Sequence, residues 1–265
     1  MEQAKILFAL ISLLGCSFHT NVEDKTAGIH DKSGHEVAQN HLTERKNASL
    51  KEKMTNQAAR NNIKFVGQKV ILDVPLIRQN PELKYGCEVT SLAMVLQYAG
   101  VKVDKMTLAE EIKKDSDPIV KTKSGNIVSW GNPSDGFVGD MTGKEKGYAV
   151  YDQPLTDLME KYMPERAVNL TGSPFDELLR YVQNKHPVVV WTTGDYRLPD
   201  RWESWNHESE TIKTPLDLHA VVLVGFDDKN VYINDPLWGK KAHRVNKEQF
   251  ISSWVALNKR AVSYN

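Results

Sequence analysis

The chain is short of cysteine, of net charge and of long apolar runs, and each shortage excludes something. Cysteine occurs only twice in 265 residues, at Cys16 and Cys87. The 34 lysines and arginines balance 34 aspartates and glutamates, for a formal net charge of zero. Nucleic-acid binders usually carry a basic excess or a clustered basic face, so no nucleic-acid partner is expected. The apolar run Ile6 to Gly15 falls short of the roughly 20 residues that span a bilayer. No His-Glu-x-x-His helix occurs. His207, His219 and His243 are scattered, and His19, His30, His35 and His41 lie towards the N-terminus. Neither a metal nor another cofactor is expected. What is present is ordinary globular content, 40% hydrophobic, enough for one substantial core.

The short charged start and apolar run read as a secretory signal. Leu13-Leu14-Gly15-Cys16 looks like a bacterial lipobox, in which cleavage precedes the cysteine and its thiol takes a diacylglyceryl group. On that reading residues 1–15 are a lipoprotein signal peptide and Cys16 is the lipidation site. The protein is then exported and anchored by lipid to the extracytoplasmic face of the cell membrane. An ordinary signal with an incidental cysteine is the alternative. With Cys16 acylated, Cys87 has no intramolecular partner, and a leftover thiol in an exported chain invites a reactive role. Residues 16–67 alternate charges of both signs with few large apolar side chains, the composition of a disordered polar tether. A transient helix over residues 48–62 is compatible with their helix formers. Residues 68–265 then form the folded domain.

Order is expected from Val70 to Pro75, a β-branched strand ended by proline. Val89, Leu92, Ala93, Leu96 and Ala99 form the stripe of a core-facing helix that starts after Gly86 and stops at Gly100. A second helix is expected from Thr107, with a capping box to Glu110. Ser124 to Gly147 reads as a long loop rich in Gly, Asn, Pro and Asp. Helices follow over Pro154 to Met163 and over Pro174 to Gln183, the latter capped by Ser173. Pro187 to Thr193 is a buried strand, and Gly194 to Leu216 reads as a loop. His219 to Phe226 and Val231 to Asp235 form a hairpin around Asp227-Asp228-Lys229-Asn230. Ala242 to Val245, a capped helix over Asn246 to Trp254 and a strand over Ala261 to Tyr264 close the chain. Helices first and antiparallel strands after make an α+β layout.

Cys87 sits at a helix start, where unpaired N–H groups and the macrodipole favour negative charge and push a thiol towards thiolate. A buried, inert thiol is the other reading of the same residue. A thiol nucleophile needs a base, and the base needs a group to orient it. His219 opens an apolar strand and Asp235 ends its hairpin partner. Strict register from the four-residue turn sets Val222, not His219, opposite Asp235, so a bulge or side-chain reach must close the gap. Asp235 before Pro236 also suits an Asx turn. Gln79, in the loop ahead of the Cys87 helix, could join the Cys87 N–H in holding an oxyanion.

Gln79, Gly86-Cys87 at a helix start, Leu218-His219-Ala220-Val221 and Asn234-Asp235-Pro236 resemble, in that order, the peptidase family C39-like proteins of bacteria. Trp130-Gly131-Asn132-Pro133 and Gly136-Phe137-Val138-Gly139-Asp140 also look like the exported, single-domain subgroup. The resemblance spans roughly Val70 to Tyr264. It implies a papain-like cysteine-protease fold, with helices packed on a C-terminal antiparallel sheet. It also implies Cys87 as nucleophile, His219 as base, Asp235 as orienting residue and Gln79 as oxyanion donor. The expected partner is a peptide or protein substrate, with Trp130, Phe137, Gly139 and Trp191 as substrate-binding positions. The founding members cut leader peptides within bacteriocin exporters, but this chain has neither a transporter segment nor a nucleotide-binding loop. Cell-wall amidases, endopeptidases and acyl transferases share the triad chemistry. A non-catalytic binding module, with Trp130, Phe137, Trp191, Trp202 and Trp205 along a groove, is the reading from another class.

Overall fold

The computed structural model describes Phe65 and residues 67–265. The signal segment 1–15, Cys16, the helix expected over 48–62 and all but the end of the expected tether lie outside the described residues. Packing begins at Phe65, inside the stretch read as tether. Its buried ring meets that of Phe226 edge-on, with centroids 5.0 Å apart.

In chain order the elements are β1 (Val70–Ile71), α1 (Cys87–Tyr98), α2 (Lys105–Glu111), β2 (Lys114–Asp115), β3 (Val120–Lys121), β4 (Ile127–Ser129) and β5 (Phe137–Val138). There follow α3 (Asp152–Tyr162), β6 (Ala167–Asn169), α4 (Phe175–Gln183), β7 (Val188–Thr193), β8 (Trp202–His207) and β9 (Glu210–Pro215). The last are β10 (Leu218–Phe226), β11 (Asn230–Asp235), β12 (Lys240–Asn246), α5 (Lys247–Ala256) and β13 (Ala261–Tyr264). The main sheet runs β12-β11-β10-β7-β13-β6, with β1 beside β10. All of its pairs are antiparallel, so the fold is α+β as expected.

Helix α1 carries the core. Val89, Leu92, Met94, Val95 and Leu96 are fully buried. At about 1.5–3 kcal/mol per buried side chain they contribute on the order of 10 kcal/mol of gross apolar burial. The helix packs on β10, and Ser91 Oγ donates to the Ala220 carbonyl at 3.2 Å. Its start depends on Gly86, where a Cβ would lie 2.6 Å from Leu83 Cβ. Every residue of β7 is buried, the pattern of a strand covered on both faces.

Several expectations are corrected. The first strand stops at Ile71. Helix α2 begins at Lys105, because the Asp104 carboxylate caps the N–H groups of Met106 and Thr107. Helix α4 is preceded by Pro174, without a side-chain cap from Ser173. The segment read as a loop from Ser124 to Gly147 contains β4 and β5, and its Trp130 and Val138 form a small core with Trp205 of β8. The segment from Gly194 to Leu216 contains the hairpin β8–β9. That hairpin offers little apolar alternation, since it packs mainly through Trp205, Ile212 and buried Thr214.

Between β10 and β11 the register slips by one residue. Phe226 faces Val231 and Gly225 faces Tyr232, but Leu223 faces Ile233 and Val222 faces Asn234. Side chains alternate faces along a strand, so this bulge decides which residues share a side. Strict register would pair Asp235 with Val222 and put it on the face away from His219. The bulge brings Asp235 against Val221 instead, one diagonal step from His219 on the same face.

Candidate active site

Cys87 is the first residue of α1, with only 7% of its surface exposed. Its thiol donates to Glu88 Oε2 at 3.3 Å, not to the His219 ring. Burial first, and the Glu88 charge second, raise the thiol well above its ordinary value; the Ala220 backbone acts the other way. The helix start therefore does not by itself give a thiolate, which corrects the expectation above.

His219, the second residue of β10, neighbours Ala220, the residue whose backbone lies against that thiol. The buried ring places Nε2 3.1 Å from Asp235 Oδ1. Asp235 is fully buried, which disfavours its charge, yet its carboxyl is lowered to about 2. The hydrogen bond and charge of His219 outweigh burial, helped by the Tyr196 hydroxyl and the Trp238 N–H. An ionised Asp235 puts the ring proton on Nε2 and leaves Nδ1 basic. Oδ1 also accepts the N–H groups of Leu237 (2.8 Å) and Trp238 (2.9 Å). The same oxygen thus closes an Asx turn and lies within hydrogen-bond reach of the histidine.

Gln79 is 98% buried and tied to the same turn, its N–H donating to the Pro236 carbonyl at 3.0 Å. One proton of its Nε2 goes to the Lys84 carbonyl at 2.8 Å, which leaves the amide a second proton to donate. That bond also fixes the amide orientation, with Oε1 buried and without a partner.

The expected substrate-binding residues are corrected. Trp130, Phe137 and Trp191 have at most 2% of their surface exposed and offer nothing to a ligand. Trp130 packs against Tyr148 and Trp205, and Trp191 Nε1 donates to the Val150 carbonyl at 3.0 Å inside the core. Gly139 is a packing glycine in a tight bend: at φ +79° a Cβ would lie 2.3 Å from the Lys146 carbonyl oxygen. Of the groove proposed for a binding module, Trp205 is buried as well and Trp202 is exposed. Exposed Trp238 stands three residues past Asp235, its Nε1 3.5 Å from the Gly194 carbonyl.

Sequence reasoning missed Glu88 and Tyr196. Tyr196 donates its hydroxyl to Asp235 Oδ2 from a turn in which its own φ is +64°. Burial and the Asp235 carboxylate raise the phenol, so it stays a donor. On other elements, Asp115, Asp135 and His207 bring donor atoms within 4.8 Å of one another, a grouping that could hold a cation. There His207 Nε2 pairs with Asp115 at 3.2 Å and Asp117 at 3.5 Å.

The Peptidase_C39 like family matches residues 71–262. The uncharacterized protein YvpB of Bacillus subtilis (strain 168) is 36% identical over 210 residues, 78% of this chain and 81% of that protein. The crystal structure of a candidate C39-like peptidase from Bacillus anthracis is 44% identical, with a TM-score of 0.67, over 75% of this chain and 98% of that one. A fragment of Prevotella intermedia prointerpain A, 14% identical with a TM-score of 0.40, is too slight a likeness to carry weight.

Proposed function

The chain belongs to the Peptidase_C39 like family, and from that premise we propose that it is a cysteine peptidase working through Cys87, His219, Asp235 and Gln79. Family and fold support a peptidase-type function. The observation that carries the finer reading is the 3.1 Å contact of His219 Nε2 with Asp235, on a strand whose next residue lies against the Cys87 thiol.

In the proposed reaction, His219 Nδ1 takes the thiol proton and Cys87 sulfur attacks the scissile carbonyl carbon. The tetrahedral oxyanion is received by the second Gln79 Nε2 proton and the Cys87 N–H at the helix start. Collapse breaks the C–N bond as imidazolium gives its proton to the leaving amine, leaving a thioester. Water, deprotonated by His219, then attacks the thioester and releases the acid and the thiol. Asp235 holds the ring and stabilises its cationic form throughout. We place this chemistry outside the cell, on a protein exported by residues 1–15, lipidated at Cys16 and carried at the membrane on the stretch after it.

The test is cleavage of a mixed peptide library by the wild type, Cys87→Ala and His219→Ala, with termini read by mass spectrometry. New termini from the wild type alone support the reading. Equal cleavage by Cys87→Ala, or none by the wild type, overturns it.

A further inference from the structure

Glu88 is the group at this site that the reaction above leaves unused. It is fully buried in the first turn of α1, a costly place for a carboxylate. Oε1 accepts the Val150 N–H at 3.1 Å, while Oε2 lies 3.3 Å from Cys87 sulfur. With Oε1 committed as an acceptor, a proton on this carboxyl belongs on Oε2, aimed at the nucleophile.

We propose that Glu88 is a second proton-bearing group at the nucleophile, whose Oε2–H donates to Cys87 sulfur and stabilises the thiolate, and whose ionised form accepts from the thiol and holds it neutral. The proposal rests on Cys87 as nucleophile. The reactive form carries two protons on three groups: thiolate, imidazolium and neutral Glu88. Losing one of them to solvent leaves a carboxylate, and the remaining proton rests on sulfur between Glu88 Oε2 and His219.

The surroundings favour this. Burial pushes the Glu88 carboxyl up to about 7, against hydrogen bonds that favour its ionised form. The groups facing it are Cys87 on its own helix and, acting on the thiol from beyond it, ionised Asp235, to which His219 is hydrogen-bonded. From the loop leading into α3 come Tyr148 and Tyr151, both raised by burial and hydrogen-bonded to Thr214 Oγ1. Arg260 lies over the Tyr151 ring and is engaged by Asp152 at 3.0 Å. Among the described residues no lysine or arginine forms an ion pair with Glu88. Its charge therefore acts on the sulfur without a compensating cation.

Glu88→Gln copies the neutral acid, with an amide oxygen for Val150 N–H and an amide N–H for the sulfur. The full chain is alkylated with iodoacetamide between about pH 5.5 and 8.5, and the rate at Cys87 is read by peptide mass spectrometry. In the wild type the rate falls as pH rises through about 7. In Glu88→Gln it does not fall, and near pH 8 it exceeds the wild type by about tenfold, the equivalent of one pKa unit. Superimposed profiles, or a variant slower throughout, overturn the proposal. If the variant does not fold, infrared spectra of the wild type decide: a protonated-carboxyl band that disappears as pH rises through about 7 supports the proposal, and its absence at pH 6 overturns it. No substrate is involved. Chain that alkylates as described but cleaves no peptide sinks the peptidase reading and leaves this one standing.

Discussion

Replacing Asp235 by asparagine should destabilise the protein by an amount that depends on pH in a calculable way. The carboxyl sits at about 2 in the folded protein, against about 3.9 for an unperturbed aspartate. A folded value below the unfolded one stabilises above the unfolded pKa and is lost as pH falls through the folded one. That lowering of nearly two pH units is worth on the order of 2–3 kcal/mol near pH 6. About half of that remains at pH 3, and most of the rest is lost as pH falls through about 2. Asp235 is fully buried, so no solvent discount applies. Asparagine keeps the volume and an acceptor for Leu237 N–H and Trp238 N–H; its amide nitrogen also replaces the acceptor of the Tyr196 hydroxyl, a loss that does not vary between pH 3 and 6. Asp227, also near 2, is common to both proteins and cancels in the difference. Urea unfolding of wild type and Asp235→Asn at pH 6 and pH 3 measures it. The difference should shrink by roughly half between the two. A difference that is constant with pH, or below about 0.5 kcal/mol at pH 6, refutes the charge–histidine coupling.

Three further outcomes are expected. Trp191→Phe should lower stability by about 2–4 kcal/mol through lost volume and an orphaned Val150 carbonyl. It should leave KM unchanged, whereas a KM effect without a stability loss would restore Trp191 to substrate binding. Gln79→Ala should lower kcat by about 10²–10³-fold, the usual cost of one oxyanion donor, with little change in KM; a KM effect alone would reassign the residue. Cys16→Ser should move the mature protein from the membrane to the soluble fraction, since stable anchoring takes two acyl chains. A mature N-terminus anywhere other than residue 16 would contradict the lipidation.

Much of this architecture is legible in the sequence alone. The stripe of α1, the apolar run of β7 and the hairpin from His219 to Asp235 are local periodicities, which sequence carries directly. The need for a bulge or a long side-chain reach was legible, but not its place between Leu223 and Gly225, where β1 runs alongside and a Cβ on Gly225 would lie 2.4 Å from the Val70 carbonyl oxygen. That is a tertiary constraint without a local signature. Glu88 was hidden for a different reason. An acidic residue in the first turn of a helix reads as a solvated partner for the macrodipole, and only packing by Val150 and the sheet buries it. Tyr196 reaches Asp235 from 39 residues away, out of an unremarkable turn. Of the aromatic residues that could line a groove, Trp130 and Trp205 form a satellite core with Val138, while Phe137 and Trp191 belong to the main one.

The central claim, that Cys87 carries the acyl group in peptide hydrolysis, is tested most directly by trapping the intermediate. The wild type is mixed with a peptide it cleaves, quenched in acid within a turnover and digested, and the Cys87-containing fragment is weighed. The account predicts that fragment plus the acyl half of the substrate as a thioester, lost on hydroxylamine treatment and absent from Cys87→Ala. Acylation of another residue, or turnover by Cys87→Ala at the wild-type rate, would contradict it.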